Sequence, residues 1–438
     1  MTYSKREQRG WYMYDWANST FSSTVITLFL GPYLTALAKA AADANGRIHP
    51  LGIPVEPRSW WGYLVALSVA MQIVVLPVVG TMADFSAHKR RLMGTLAYVG
   101  ALATVAMFFL QGSAYLAGGI LFLIANLAFG ASIVVYNSFL PEIAAPQDRD
   151  AVSSKGWAIG YLGGGLLLAL NLVLFAKSAS FGISESMAVR INLASAGVWW
   201  AAFTLIPLAA IRKRPAARLR KAGEGLLSSF REFLATLQEM RHYPQTLRFL
   251  IAYLIYNDAV QAVITLAAQF GNDELKISMA DLTMVILMVQ FVAFLGSLIF
   301  DLVAKWITAK SAVAVSLVIW SGVLVAMYVS VRDKTQFFIA AAVVAIVLGG
   351  TQALSRSLYS QMIPKGREAE YFSVYEISDK GTSWLCPLLF ALALQFTGSY
   401  RLAILSLITF FIGGLLVLLT VNVPRAAVEA SARVSNAN

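Results

Sequence analysis

The feature that most constrains this 438-residue chain is a series of long apolar runs separated by short polar segments. An apolar helix of about 20 residues is long enough to cross the roughly 30 Å hydrocarbon core of a membrane. Twelve such runs are predicted at 12–35, 60–82, 92–111, 115–140, 154–176, 190–211, 247–270, 279–303, 311–331, 336–361, 371–397 and 400–423. Because each spanning helix satisfies its own backbone hydrogen bonds, we expect an all-α integral membrane protein.

Composition agrees with this class and excludes others. Only 13% of the residues are charged, about half the share typical of soluble proteins. The net charge of +11 is dispersed over short loops, so we expect no nucleic-acid partner. Cys386 is the single cysteine and the three histidines are scattered, so we expect no metal and no cofactor. Asp15 and Asn18 interrupt the first apolar run, so we expect no removable leader.

The distribution of Lys and Arg predicts the orientation in the membrane, because these residues are enriched in cytoplasmic loops. If both termini are cytoplasmic, 23 of the 34 Lys and Arg lie in cytoplasmic segments and nine lie in segments on the other side. We therefore expect a multi-pass protein with cytoplasmic termini.

The segment 212–246 divides six predicted spans from six. Its spacing of apolar residues marks one helical face, formed by Leu226, Leu227, Phe230, Phe233, Leu234 and Leu237. We expect an amphipathic helix on the cytoplasmic membrane surface, ended by Pro244, with partner binding as the alternative role. The expected units are a six-helix bundle at 1–211, this linker, and a second bundle with a short tail at 247–438.

The two bundles are weakly related in sequence. Matched positions after the fourth and tenth spans carry Pro146, Arg149, Asp150 and Ala151, and Pro364, Arg367, Glu368 and Ala369. Asp84 after the second span likewise matches Asp301 after the eighth. Two six-helix repeats around a central site are the arrangement of an alternating-access transporter.

The segment after the second span resembles the loop 2–3 signature of the major facilitator superfamily. Asp84 follows Gly80 by four residues, and a basic cluster with Arg90 and Arg91 comes next. Glycine permits close approach of a neighbouring helix, and the charged groups are suited to joining the two halves as a conformational latch. Asp301 belongs to a poorer second copy. Membrane anchoring by the basic cluster alone is the alternative.

Gly156, Gly160 and Gly164 recur at every fourth residue of the fifth span and leave one helix face without side chains. Such a face allows two helices to pack closely in a membrane, which is the role we expect. The stretch also resembles an antiporter signature of the superfamily, although Tyr161 replaces its proline.

Charged side chains within predicted spans are costly and are therefore candidates for function. Asp258 lies near the middle of the seventh span, beside Tyr256, Asn257 and Gln261. Burial generally favours protonation of an isolated carboxyl group, so Asp258 is the leading candidate for proton coupling or for binding a substrate amine. A structural hydrogen bond is the alternative.

A second charged group is predicted where the tenth and eleventh spans meet. Glu376 and Lys380 share a helix face, and Arg356 is placed to pair with Glu376 or Asp379. A structural or gating network and a substrate contact are equally compatible with this pattern.

Near the start of the first span, Asp15 is suited either to capping the helix or to a functional role, because an acid there also suits the helix dipole. Asn18 and Asn137 are candidates to line a polar cavity, and hydrogen bonding between helices is their alternative role.

Several short stretches together resemble one family. They are YDWANS at 14–19, YNSFLP at 136–141, SSKG at 153–156, GYLGG at 160–164, YND at 256–258 and GGTQALSRS at 349–357. These stretches are similar to those of the autophagy-related vacuolar amino-acid effluxer family and its bacterial relatives. The resemblance implies a major facilitator fold and, for the fungal members, amino-acid export from the vacuole. The short loops resemble a compact prokaryotic member in the bacterial inner membrane.

The sequence therefore predicts a secondary active transporter, not an enzyme, that moves a small polar solute such as an amino acid or short peptide. A transporter of a sugar, organic ion, drug or lipid is one alternative, and a non-transporting membrane receptor or scaffold is another. The expected partners are a small-molecule substrate, the lipid bilayer and protons as coupling ion, and we expect a monomer.

Overall fold

The computed structural model describes residues 3–216, 218, 226–380 and 385–432, and the side chains of 226–230, 232, 380 and 432 lie outside this description. The main helices are α1 Lys5–Ala40, α2 Trp60–Asp84, α3 Lys89–Phe109, α4 Tyr115–Asn137, α5 Arg149–Ala176, α6 Glu185–Ala210, α7 Leu226–Glu239, α8 Pro244–Asp273, α9 Met279–Ile307, α10 Ala309–Val329, α11 Lys334–Met362, α12 Glu368–Lys380, α13 Leu385–Thr397, α14 Tyr400–Leu419 and α15 Val423–Ala432.

Within the described ranges, eleven helices are long and apolar enough to cross a membrane, namely α1 to α6, α8 to α11 and α14. The predicted span at 371–397 corresponds to α12 and α13, which flank residues 381–384 outside the description. The predicted all-α membrane architecture is confirmed.

The first helix begins earlier than predicted, at Lys5 instead of residue 12. Its first two turns contain charged and polar residues, and hydropathy marks only the part of a helix that lies in hydrocarbon. The helix therefore extends beyond the predicted span, and every later residue of α1 lies further from the start of the helix than predicted.

Apolar side chains pack into two cores. One core consists of buried residues between Trp11 and Ile211, joined by Ala369, and the other extends from Met240 to Ala426. We refer to these parts of the chain as the first half and the second half.

Successive spanning helices run in opposite directions, so their ends meet on two sides of the bundle. On the side of the segment 212–243, here named the linker side, the Gln8 side chain donates to the Ile143 carbonyl at 3.0 Å. On the opposite side, the Tyr33 hydroxyl donates to the Leu110 carbonyl at 2.6 Å, and Arg401 pairs with Glu274.

The linker contains the predicted helix, α7. Phe233 on its expected apolar face is buried, whereas Leu234 and Leu237 are exposed. The side chains of Leu226, Leu227 and Phe230 lie outside the described residues. The Arg367 side chain, in the turn before α12, bonds both Glu239 and Thr236 of α7. The linker helix is thus attached to the second half by polar contacts.

Candidate functional site

A buried ion pair joins the two halves. Both terminal nitrogens of the Arg356 guanidinium, on α11, lie 3.2 Å from Oδ2 of Asp15, on α1. Arg356 is 3% exposed and Asp15 is 9% exposed. Asp15 lies ten residues beyond Lys5, about 15 Å along the helix. The capping interpretation of Asp15 is therefore wrong, because the helix dipole acts within the first turn.

Hydroxyl and carbonyl groups from the first half complete the coordination of this pair. The Tyr136 hydroxyl donates to Asp15 Oδ2 at 2.6 Å. Arg356 donates through Nε to the Ser153 hydroxyl and through Nη2 to the Ser153 carbonyl, both at 2.9 Å. These bonds matter because the attraction between two buried charges offsets their desolvation only when their remaining polar atoms are also satisfied.

Aromatic rings surround the guanidinium. Its central carbon lies 4.6 Å from the ring centre of Trp11, 5.4 Å from that of Trp157 and 5.7 Å from that of Tyr136. Trp11 and Tyr136 are stacked, with ring centres 4.4 Å apart. The faces of aromatic rings attract cations. Arg356 is therefore held both by charge and by a cage of rings from the first half.

The glycine stripe of α5 provides the space for this arrangement. A Cβ atom on Gly156 would lie 2.6 Å from Asp15 Oδ2 and 2.9 Å from Arg356 Nη2. Gly160 faces the backbone and Cβ of Asp15, and Gly164 faces Ser19 and Ser23 of α1. The expected close packing is present, and at Gly156 it also makes room for the ion pair.

The network extends from the ion pair to α12 through Asn137. Its side-chain oxygen accepts from Arg356 Nη1 at 3.3 Å, and its nitrogen donates to Glu376 at 2.7 Å. The carboxylate that pairs with Arg356 is therefore Asp15, which corrects the predicted pairing with Glu376 or Asp379. The reason is that α1 and α11 are in contact although 341 residues separate the two side chains.

The other predicted residues of the eleventh and seventh spans form a separate cluster. Asp379 accepts from the Tyr253 hydroxyl at 2.9 Å and from the Asn257 side chain at 2.8 Å. The Tyr256 hydroxyl lies 2.6 Å from Ser355 Oγ, so it connects α8 to α11. Gln261 is partly buried, and the side chain of Lys380 lies outside the described residues.

Asp258 is nearly inaccessible, with 1% exposure, and lies about midway along α8. Its Oδ2 accepts the backbone N–H of Cys386 at 3.0 Å, while its Oδ1 has no hydrogen-bond partner among the described residues. Asn18 is also buried, and its side-chain nitrogen has no such partner within the same ranges. Among the described residues, Asp258 shares no hydrogen-bond partner with the Asp15–Arg356 pair.

The predicted latch residues Gly80 and Asp84 lie at a second junction of the halves. The two carboxylate oxygens of Asp84 accept the backbone N–H groups of Ala369 and Glu370 at 3.0 and 2.9 Å. A Cβ atom on Gly80 would lie 2.6 Å from the Ala369 carbonyl. Asp84 therefore caps the start of α12 from the other half, because the partial positive charge of a helix N-terminus attracts a negative group.

Within the described ranges, the remaining predicted latch residues make no hydrogen bond or ion pair between the halves. Arg90 donates to the Ile211 carbonyl at 2.7 Å within the first half, and Arg91 is exposed. Asp301 bonds Lys305 on its own helix at 2.8 Å, and its Oδ1 has no hydrogen-bond partner among the described residues. Among the described residues, Asp84 accepts hydrogen bonds from a helix start in the other half, whereas Asp301 accepts none from one.

Further hydrogen bonds close the linker side between α5 and α11. The Arg149 side chain donates to the Ser360 carbonyl, and the Ser153 hydroxyl donates to the Ala353 carbonyl, both at 2.6 Å. Together with the Asp84 contact, these bonds define the arrangement that we call linker-side closed.

Tyr136, Ser153, Trp11 and Trp157 were not predicted as site residues. Tyr136 and Ser153 lie in the motif stretches quoted above, and Trp157 directly follows one of them. The polar and aromatic residues of these stretches, set inside apolar spans, were the sequence signal that could have identified them. Across the described residues, no group of three or more His, Cys, Asp or Glu is placed to hold a metal ion.

The fold is similar to solved transporter structures. A bacterial homologue of the iron transporter ferroportin in the outward-facing state is 12% identical and aligns over 94% of this chain and 98% of that chain, with a TM-score of 0.66. The human organic anion transporter MFSD10 is 13% identical and aligns over 94% and 99%, with a TM-score of 0.69. These likenesses confirm the major facilitator fold. Together with the family and the relatives reported next, they place the molecule among membrane transporters of that superfamily, which are not enzymes.

Its family is also defined. The family model described as "Vacuole effluxer Atg22 like" matches residues 3–149 and 144–431, and the chain belongs to this family. The uncharacterized MFS-type transporter YxiO of Bacillus subtilis (strain 168) is 29% identical over 417 residues, which is 94% of each chain. Autophagy-related protein 22-1 of Penicillium rubens is 24% identical over 549 residues, covering 98% of this chain and 92% of that relative.

Proposed function

We propose that the protein is a secondary active transporter of a small zwitterionic solute, an amino acid or short peptide, and that residues 1–211 and 247–438 rock about the interface between them. The Asp15–Arg356 pair carries this proposal. It places one negative and one positive group, from opposite halves, in contact at a buried position between the bundles.

Separation of the halves on the linker side breaks this pair. A buried charge that loses its partner costs about 3–5 kcal/mol, so each group needs a replacement as the halves move apart. A zwitterion supplies both replacements, because its carboxylate fits the guanidinium fork and its ammonium fits the carboxylate. A neutral sugar would leave both charges uncompensated.

Asp258 is the proposed coupling group. Its buried carboxyl group has one oxygen without a hydrogen-bond partner among the described residues, so a proton bound there relieves an unfavourable buried charge. It shares no hydrogen-bond partner with the ion pair among the described residues, so protonation and substrate binding are distinct events in this proposal.

The orientation and direction are part of the same proposal. The Lys and Arg bias supports cytoplasmic termini in a bacterial inner membrane, with the linker side facing the cytoplasm. The effluxer name of the family supports export as the physiological direction. We propose a monomer as the transporting unit, because both charges of the pair come from one chain.

The test is counterflow exchange in liposomes that contain the purified protein. Vesicles loaded with an unlabelled amino acid should take up the same labelled amino acid without any imposed gradient. Arg356→Gln and Asp15→Asn should abolish this exchange, and Arg248→Gln, which removes an exposed cation, should leave it unchanged. Asp258→Asn should retain exchange but lose accumulation driven by a proton gradient.

Three results would contradict the proposal. Exchange of sugars or organic ions without exchange of zwitterions would assign another cargo. Binding of amino acids without flux would favour a receptor. Proton-driven accumulation that is unchanged in Asp258→Asn would remove Asp258 from the coupling mechanism.

A further inference from the structure

A cavity of about 300 Å³ lies on the linker side, apart from the cross-half ion pair. Its wall combines the turn between α2 and α3, the start of the linker at 212–216, and Gly366 and Glu368 at the start of α12. Small-molecule sites begin at about this volume. The cavity is therefore large enough for a small ligand or a lipid headgroup, and it touches both halves and the linker.

The wall is strongly basic. Its cations are Lys89, Arg90, Arg91, Arg212, Lys213 and Arg214. Its two carboxylates are Glu142 and Glu368. Glu142 is neutralised by Lys89 at 2.6 Å and by Arg214 at 3.5 Å, and Glu368 accepts the N–H of Gly366 at 2.9 Å. An excess of positive charge remains.

Much of this positive charge has no counter-ion. Arg91, Arg212 and Lys213 have exposed side chains without a hydrogen-bond or ion-pair partner among the described residues. Arg214 bonds Glu7 through Nη2 at 3.0 Å, but its Nη1 is buried and has no hydrogen-bond partner within those residues. A buried donor without an acceptor is unfavourable and is satisfied by an incoming acceptor.

The start of α3 adds backbone donors to the same cavity. Lys89, Arg90 and Arg91 form its first turn, and the preceding residue, His88, makes no side-chain capping bond. The first N–H groups of a helix have no acceptor within the helix, and the helix dipole there favours an anion. Side chains and backbone thus offer many donors to one small volume.

We propose that this cavity binds a phosphate group, carried by an anionic phospholipid headgroup or by a small soluble phosphate ester, and that binding stabilises the linker-side closed arrangement. A phosphate group provides several acceptor oxygens and at least the charge of a carboxylate, which matches a cluster of guanidinium, ammonium and N–H donors. The bound group would touch the turn before α12, which directly precedes the two N–H groups that Asp84 caps.

The test is binding of two probes to the purified full chain. One probe is inorganic phosphate added to protein in detergent, and the other is dioctanoyl phosphatidylglycerol, with dioctanoyl phosphatidylcholine as the zwitterionic control. Arg212→Gln/Lys213→Gln should weaken binding of the anionic probe roughly thirtyfold, because each of the two cations contributes roughly fivefold near an anionic headgroup. Arg241→Gln/Arg248→Gln removes two other exposed cations and should change binding less than about twofold.

The outcomes separate the sources of the phosphate group. Competition between inorganic phosphate and phosphatidylglycerol supports a site that recognises phosphate itself, and binding of phosphatidylglycerol alone assigns the headgroup. Binding of inorganic phosphate alone assigns a soluble ester. Equal losses in both double variants, or no binding of either probe, overturn the proposal. Amide hydrogen exchange at 366–372 should slow when the probe is bound, and unchanged exchange would refute the link to closure.

Discussion

Asp15 and Asp258 are two carboxylates buried within the spanning helices, and their surroundings differ in nearly every respect. Asp15 has an arginine from the other half and a tyrosine hydroxyl on one oxygen. Asp258 receives one backbone N–H from Cys386, and its second oxygen has no hydrogen-bond partner in the part of the chain that the structure describes. In the proposed mechanism, Asp15 holds the halves together and Asp258 gains and loses a proton.

The comparison teaches that depth in the membrane and chemical role are separate properties. Sequence reasoning ranked Asp258 first because its central position in a span is readable from hydropathy. The partner of each carboxylate decides how much stability is lost when one of the two groups is removed. Which partner a carboxylate has depends on which helices are in contact. The predictions below test whether partners, and not burial alone, determine these costs.

The largest expected effect comes from Arg356→Gln. This change leaves Asp15 buried without its cation, which should destabilise the protein by about 3–5 kcal/mol, measured as a lower midpoint of thermal unfolding in detergent. The double variant Asp15→Asn/Arg356→Gln should recover part of this loss, because neither buried charge remains. Additive effects of the two changes would mean that the pair is not coupled.

The next effect concerns the aspartates at equivalent positions of the two halves. Asp84→Ala removes the carboxylate that accepts two backbone N–H groups of α12. The change should lower the free energy of unfolding by about 2–3 kcal/mol. Asp301→Ala removes only a bond to the exposed Lys305, so its cost should stay below about 1 kcal/mol. Equal shifts in unfolding temperature would show that the burial of each aspartate, and not its partner, determines the cost of removing it.

A smaller effect is expected from Gly156→Ala. The added methyl group would press on Asp15 and Arg356, and overpacking of this kind costs about 1–3 kcal/mol. Gly62→Ala is the matched control, because a Cβ atom there has no neighbour within 4 Å. Thermal unfolding of the two variants should differ clearly. If Gly156→Ala left the unfolding temperature unchanged, the space beside the ion pair would be large enough for a methyl group.

The smallest effect on stability is expected for Asp258→Asn. The amide oxygen still accepts the Cys386 N–H and no cation loses its partner, so the change should stay within about 1 kcal/mol. Asp258→Ala, which removes the acceptor, should cost more and serves as the comparison. A loss in Asp258→Asn as large as that in Arg356→Gln would abolish the distinction between the two carboxylates.

The two copies of the loop motif make different contacts in the structure. Gly80 and Asp84 were predicted to lie where the two halves join, and the structure places both residues against the start of α12. In the described part of the chain, Asp301 of the second copy accepts no hydrogen bond from a helix start. The sequence repeat therefore predicted equivalent positions but not equivalent contacts, because each depends on how closely a particular pair of helices approaches.

The pairing of Arg356 with a residue distant in sequence could not be predicted from the sequence. Arg356 was expected to pair across the neighbouring hairpin, since adjacent spans are the simplest neighbours. Its partner lies at the start of the chain, and the contact requires a glycine face on α5 that lets α1 and α11 approach one another.

By itself, the sequence determined the all-α membrane class, the positions of most spans and the residues capable of carrying charge into the membrane. Each of these follows from the high cost of exposing polar groups to hydrocarbon, which acts on every residue independently of the fold. Only the tertiary structure decided that Asp15 pairs with Arg356, that Asp84 is capping a helix while Asp301 is not, and that six cations line one cavity. Those contacts depend on the packing of helices distant in sequence, where differences of about an ångström between backbones decide which side chains meet.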